Sequence, residues 1–203
     1  MRIWRSFDLA ATFAVAGILC LTPRGALAAA CDTYEGQRTA SIEKLDQPRH
    51  NELAKLRFSP NANLYVGAAS PSSVQGIANA STSYAVVVTQ QDDNVQFAFR
   101  DKGGRYGTLT LLKPDSIFIF EVDPRDPQRG HAPVKLYKEW RLTASAEGKG
   151  IFSDGISPTQ QLTLIVQGRG NGCTTAADFK AWTLVMQGPT ANYQFFGQLL
   201  PVH

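Results

Sequence analysis

From Ser83 to Leu200 the chain repeats one pattern: short runs of alternating apolar and polar residues, separated by turn-forming residues. The runs are SYAVVVTQ, NVQFAFRD, YGTLTLLK, SIFIFEVD, VKLYKEWRLTAS, QLTLIVQG, KAWTLVMQ and YQFFGQLL. Between them lie QDDN, DKGGR, KPD, AEGKG, GRGNG and GPTAN, all rich in residues that favour tight turns. In NVQFAFRD, Val95, Phe97 and Phe99 fall on one face, with Gln96, Ala98 and Arg100 on the other. Leu162, Leu164 and Val166 form the apolar face of one later run, and Trp182, Leu184 and Met186 that of another. Period two is the signature of a strand with one buried face. SIFIFEVD is apolar on both faces, as expected of a strand covered on both sides. The pattern predicts a mainly β fold, an antiparallel meander of about eight or nine strands closed as a β-sandwich or an up-and-down barrel.

The stretch before Ser83 reads differently. Thr39 or Ser41 is placed to cap a short helical turn running to Leu45. Asp46 with Pro48 marks a second helix start, and Leu53 and Leu56 then share one face. Residues 59–83 read as a loop containing one short strand near Asn63–Ala68. Residues 29–82 are thus a helical and loop lead-in to a β meander over 83–203, within one domain of 29–203.

Residues 1–28 form a secretory signal by pattern: Arg2 and Arg5, a thirteen-residue uncharged run from Leu9 to Leu21, then Pro23 and an Ala26-Leu27-Ala28 exit. The run is shorter than the roughly 20 residues that span a bilayer as a helix. Cleavage after Ala28 places the protein in the periplasm or outside the cell, with bacterial export favoured by the alanine-rich cut site. A lipidated Cys31 would need Leu three residues earlier, where Ala28 stands. Cys20 leaves with the signal, so Cys31 and Cys173 remain, and an even pair in an exported chain predicts a disulfide.

Without Arg2, Arg5, Arg24 and Asp8 the 20 basic and 17 acidic residues become 17 and 16, close to neutral. That balance gives no footprint for nucleic acid. No later apolar run is long enough for a membrane helix. A membrane-spanning barrel is disfavoured because Arg100, Lys135, Glu139 and Arg141 fall at outward positions.

Candidate chemistry is sparse. His50, His131 and His203 are far apart, and no zinc-binding or serine-elbow motif occurs, so no metal, cofactor or catalytic residue is assigned. Asn79-Ala80-Ser81 matches the glycosylation acceptor, relevant only in a eukaryotic secretory pathway. Two places stand out. The loop Val122–Pro133 carries Asp123, Arg125, Arg129 and His131 between three prolines, a recognition element or else a solvated connection whose charges pair with each other. In VKLYKEWRLTAS, alternation that buries Leu136, Trp140 and Leu142 also turns Lys138 inward. A bulge that turns the ammonium out is the commonest solution; a carboxylate partner and a wet, ligand-binding cavity beside Trp140 are the others. The functional expectation is a non-catalytic binding or interaction protein for an unidentified protein or small ligand. The alternatives are a small-ligand carrier with a barrel cavity and a hydrolase with a dispersed site.

Overall fold

The computed structural model describes residues 33–65, 70–71, 74–125 and 134–202. Among these residues eleven strands and one α-helix follow in chain order: β1 (Arg38–Lys44), α1 (Gln47–Ala54), β2 (Arg57–Phe58), β3 (Asn61–Tyr65), β4 (Ser83–Gln90) and β5 (Asn94–Asp101). Then come β6 (Tyr106–Leu112), β7 (Ser116–Val122), β8 (Leu136–Gly150), β9 (Gln161–Gly170), β10 (Phe179–Gln187) and β11 (Asn192–Leu200). All pairings are antiparallel, and the order β8-β6-β5-β4-β3-β11-β10-β9 returns to β8, closing an eight-stranded barrel. The fold is therefore a barrel rather than a sandwich.

Alternation works as expected where a strand has barrel on one side and solvent on the other. Phe97, Phe99, Leu109, Leu164, Trp182 and Phe195 point inward and are almost wholly buried. Their rings interlock: Phe99 stacks on Phe195 at 4.4 Å, and Phe97 lies 5.5 Å from Trp182. Rings in these offset and edge-on contacts fill the interior and hold it at about 0.5–1.5 kcal/mol per pair beyond burial. Gly197 makes room for Trp182, since a Cβ there would sit 2.6 Å from the indole nitrogen.

The barrel opens at one end because β8 is longer than its neighbours. Its second half pairs with β6, from Ala146 to Gly150, and its first half pairs with β7, from Tyr137 to Arg141. Strands β6 and β7 behave as one long strand with a jog. Leu111 opposes Ala146 and Phe118 opposes Arg141, so seven residues on one side match five on the other. Pro114 sits in that jog, where the missing amide donor interrupts the ladder. Beyond it, β1 replaces β5 as the neighbour, pairing with β7 from Arg38↔Val122 to Lys44↔Ser116. The pair β1–β7 is a flap that continues the sheet past the barrel rim.

Four local expectations need correction. Residues 38–44 are strand β1, not a helical turn, because their backbone groups pair with β7. The AEGKG segment continues β8, and the first half of GRGNG continues β9, since both extend ladders that closure of the barrel requires. Glu139 keeps its outward place, on the face opposite Lys138 and Trp140, but is covered there, accepting a 2.7 Å hydrogen bond from the Tyr137 hydroxyl and paired with Arg141. The lead-in is not merely a loop, because β3 is a barrel strand between β4 and β11. The helix falls where expected: Asp46 caps α1 by accepting from the Arg49 amide at 3.2 Å, Pro48 lies in its first turn, and Leu53 is buried. Within SIFIFEVD only Ile117 is fully buried; Ser116 is exposed and the rest half covered, with Arg141 lying 5.1 Å over the Phe118 ring.

Candidate functional site

A groove of about 1110 Å³ lies at the barrel mouth, between the flap, α1 and residues 172–175. The strand registers build its floor. Thr39 opposes Glu121, which opposes Lys138; Ser41 opposes Ile119, which opposes Trp140. These two rows continue the inward face of β8 onto the flap. Ile119 and Trp140 line the groove as its apolar floor, and Glu43, Asp46, Arg49, Glu52, Lys55 and Glu121 supply charge around it.

Lys138 sits behind this wall, fully buried and absent from the groove lining. No bulge turns it out: the ladders on both sides of β8 run through it without a register shift, so the bulge expectation is overturned. Its ammonium instead donates to Thr174 Oγ1 at 2.6 Å and stands 3.3 Å from Glu121 Oε1 and 3.7 Å from Asp178 Oδ2. Thr174 passes the chain on by donating to Glu121 Oε1 at 3.0 Å. One hydrogen bond and two neighbouring carboxylates surround the ammonium, which offsets the cost of burying the charge. Fully buried and absent from the groove lining, the ammonium does not face an anionic ligand there.

Two glycines let Asp178 reach this cluster. The turn Ala176–Asp178 packs directly on β9, and a Cβ at Gly168 would come within 1.9 Å of the Asp178 carbonyl oxygen. At Gly170 a Cβ would fall 2.2 Å from the Asp178 carboxyl carbon. Only glycine permits such close approach in both places.

Helix α1 is pinned across the groove. Glu52 Oε2 accepts from the Ala176 amide at 2.7 Å, and Glu52 Oε1 pairs with Lys55 at 2.5 Å. The Lys55 hydrogen bond, and then the Ala176 amide, hold the Glu52 carboxyl below its ordinary range. At the other end of the helix Arg49 is shared between Glu43 and Asp46, the latter at 3.0 Å.

Trp140 is 3% exposed, and its ring packs edge-on against Phe179 at 5.2 Å. Its indole Nε1–H is buried with no hydrogen-bond partner among the described residues. Trp182 shares that deficiency, but it lies in the barrel interior against Gly197, whereas Trp140 belongs to an open groove.

The charged loop is only partly described. Asp123 and Arg125 pair with each other: Arg125 Nε donates to Asp123 Oδ1 at 3.0 Å, and a terminal guanidinium nitrogen donates to Oδ2 at 3.0 Å. Asp123 also accepts from the Gly36 amide at 3.0 Å, clasping the turn that precedes β1. Arg125 first, then the Gly36 amide, hold the Asp123 carboxyl down to about 2. This is the self-paired alternative for that end of the loop. Arg129 and His131 lie outside the described residues, as does Cys31, while Cys173 lines the groove.

Of the predicted site residues, the fold brings Trp140 and Lys138 to the barrel mouth and sets Asp123 and Arg125 apart as a clasp. Sequence reasoning missed Glu121, Thr174, Asp178, Arg49 and Glu52. The signal available for Asp178 was the glycine pair before Cys173, which read as a turn. Among the described residues no group of three or more His, Cys, Asp or Glu side chains is arranged to hold a metal ion. No protein-family model, curated protein or solved structure matches the chain.

Proposed function

We propose that this is an exported, non-catalytic binding protein whose binding site is the groove at the barrel mouth. The observation that carries the reading is Trp140: a buried indole donor without a partner, in the floor of a groove of about 1110 Å³. An unmet buried donor is costly, and an acceptor on a bound molecule relieves it. Barrel mouths with an apolar floor and a few convergent polar groups are a common ligand setting. The carrier reading, with a ligand inside the barrel, draws no support from an interior filled by Phe97, Phe99, Trp182 and Phe195.

Export and a Cys31–Cys173 bridge belong to the same proposal. The bridge would tie the start of the mature chain to the groove rim. Closing so long a loop contributes up to about 4–5 kcal/mol by chain entropy. Non-reducing peptide mapping is expected to find one linked pair, and reduction to lower the melting temperature.

The binding reading is tested by the two indole resonances of mature, 15N-labelled protein, assigned with Trp140→Phe. Titration with a library of neutral and charged aromatic fragments is expected to move the Trp140 indole resonance while that of Trp182 stays in place. If no fragment moves Trp140 at millimolar concentration, the groove is not a binding site.

A further inference from the structure

We infer that the groove selects a small organic cation with an apolar body and a neutral hydrogen-bond acceptor; this rests on the groove being the binding site. The charge count around the groove carries the inference. Among the described residues four carboxylates line it, Glu43, Asp46, Glu52 and Glu121, against two cations, Arg49 and Lys55, leaving two negative charges in excess. The pairing pattern does not remove the excess, because one Arg49 serves both Glu43 and Asp46. Behind the wall, Lys138 is shared between Glu121 at 3.3 Å and Asp178 at 3.7 Å, so adding this cation and Asp178 to the count leaves the surplus unchanged. Lys138, the one buried cation among the described residues, is enclosed by Thr174, Glu121 and Asp178.

The other two features come from the floor. Ile119 and Trp140 offer apolar area to a ring or short chain. The unpartnered indole Nε1–H asks for an acceptor, and a carbonyl or ether oxygen meets it without adding negative charge to an already negative wall. A carboxylate also satisfies the indole, but it carries its charge into the surplus. The wall therefore decides between ligands that the floor accepts equally.

Benzoylcholine and hippurate share a benzoyl body and carbonyl acceptor and differ in the sign of their charge. Calorimetric titration of the mature protein at low salt is expected to give benzoylcholine a Kd of about 1 mM or tighter, ordinary for a ligand of its size. Hippurate is expected to bind at least about tenfold more weakly, with the preference shrinking as salt shortens the Debye length. Glu43→Gln should weaken benzoylcholine by roughly two- to fivefold, the reach of a partly exposed charge. Trp140→Phe should weaken both probes by about three- to tenfold through loss of one hydrogen bond, leaving the preference for positive charge in place. Equal or tighter binding of hippurate that still shifts the Trp140 indole resonance overturns the ligand class and leaves the groove reading standing. Benzoylcholine binding that leaves the Trp140 resonance unmoved overturns both.

Discussion

The two ends of β8 keep different company, one facing β6 within the barrel and the other carrying the flap. Where β8 joins β6 it is a barrel strand, and across the ring β3, β4 and β11 carry no charged residue at all. Where β8 joins β7 it still pairs with β9 in the barrel and carries the flap on its other edge, and Lys138, Glu139 and Arg141 crowd into four positions. The barrel is held by interlocked rings, the mouth by ion pairs and amide contacts that span it. Aromatic packing needs no particular partner geometry to exclude water, whereas each charge at the mouth is tolerated only because a named group meets it. That difference marks the mouth as the part of the molecule whose composition the core does not explain.

Barrel and mouth can each be perturbed separately. Phe195→Ala removes a ring that touches Tyr84, Phe99, Phe152 and Tyr193, and is expected to cost about 3–5 kcal/mol in urea unfolding. Lys138→Ala should cost a similar 3–5 kcal/mol or so, because it leaves Glu121 and Asp178 without their shared cation. The two should part in repair: Lys138→Met combined with Glu121→Gln is expected to recover part of the loss, since an unpaired charge rather than a void caused it.

Gly168→Ala is a smaller perturbation confined to the mouth. The added Cβ pushes on the Ala176–Asp178 turn and is expected to cost about 1–3 kcal/mol. Amide exchange should quicken at Ala176 and along α1 while β4 and β5 keep their protection. If exchange rises equally in β4 and β5, mouth and barrel are one cooperative unit.

The smallest effect belongs to the Asp123–Arg125 clasp. Its folded carboxyl titrates at about 2, below the ordinary 3.8, so its contribution is present above the ordinary value and lost as pH falls through about 2. The Gly36 amide is expected to lose protection in that window while the barrel ladder keeps its own. Arg125→Ala should free the same amide at neutral pH and move the global melting temperature by no more than about 2 °C. A large loss of global stability would mean that the clasp supports the barrel rather than the turn before β1.

The sequence made the barrel legible where inside and outside alternate, as in Val95, Phe97 and Phe99 or Trp182, Leu184 and Met186. It named Trp140 and Lys138 and posed the right problem for the buried ammonium. The solution was not legible, because Glu121, Thr174 and Asp178 come from three separate stretches joined only by barrel closure. Strand β1 was hidden for a related reason. With every residue of Arg38–Lys44 exposed or half-buried, it has no apolar face to announce a strand, and only its pairing with β7 makes it one. Gly168 and Gly170 read as a turn because close packing and chain reversal both call for glycine.

The central claim is that recognition resides at the mouth and not on the uncharged outer wall, where Tyr65, Val87 and Phe196 are exposed. Hydrogen exchange of the mature protein, with and without saturating benzoylcholine, tests it most directly. Added protection is expected in β1, α1 and residues 172–175, with β3, β4 and β11 unchanged. Protection that appears on β3, β4 and β11 while β1 and α1 stay as they were would contradict it.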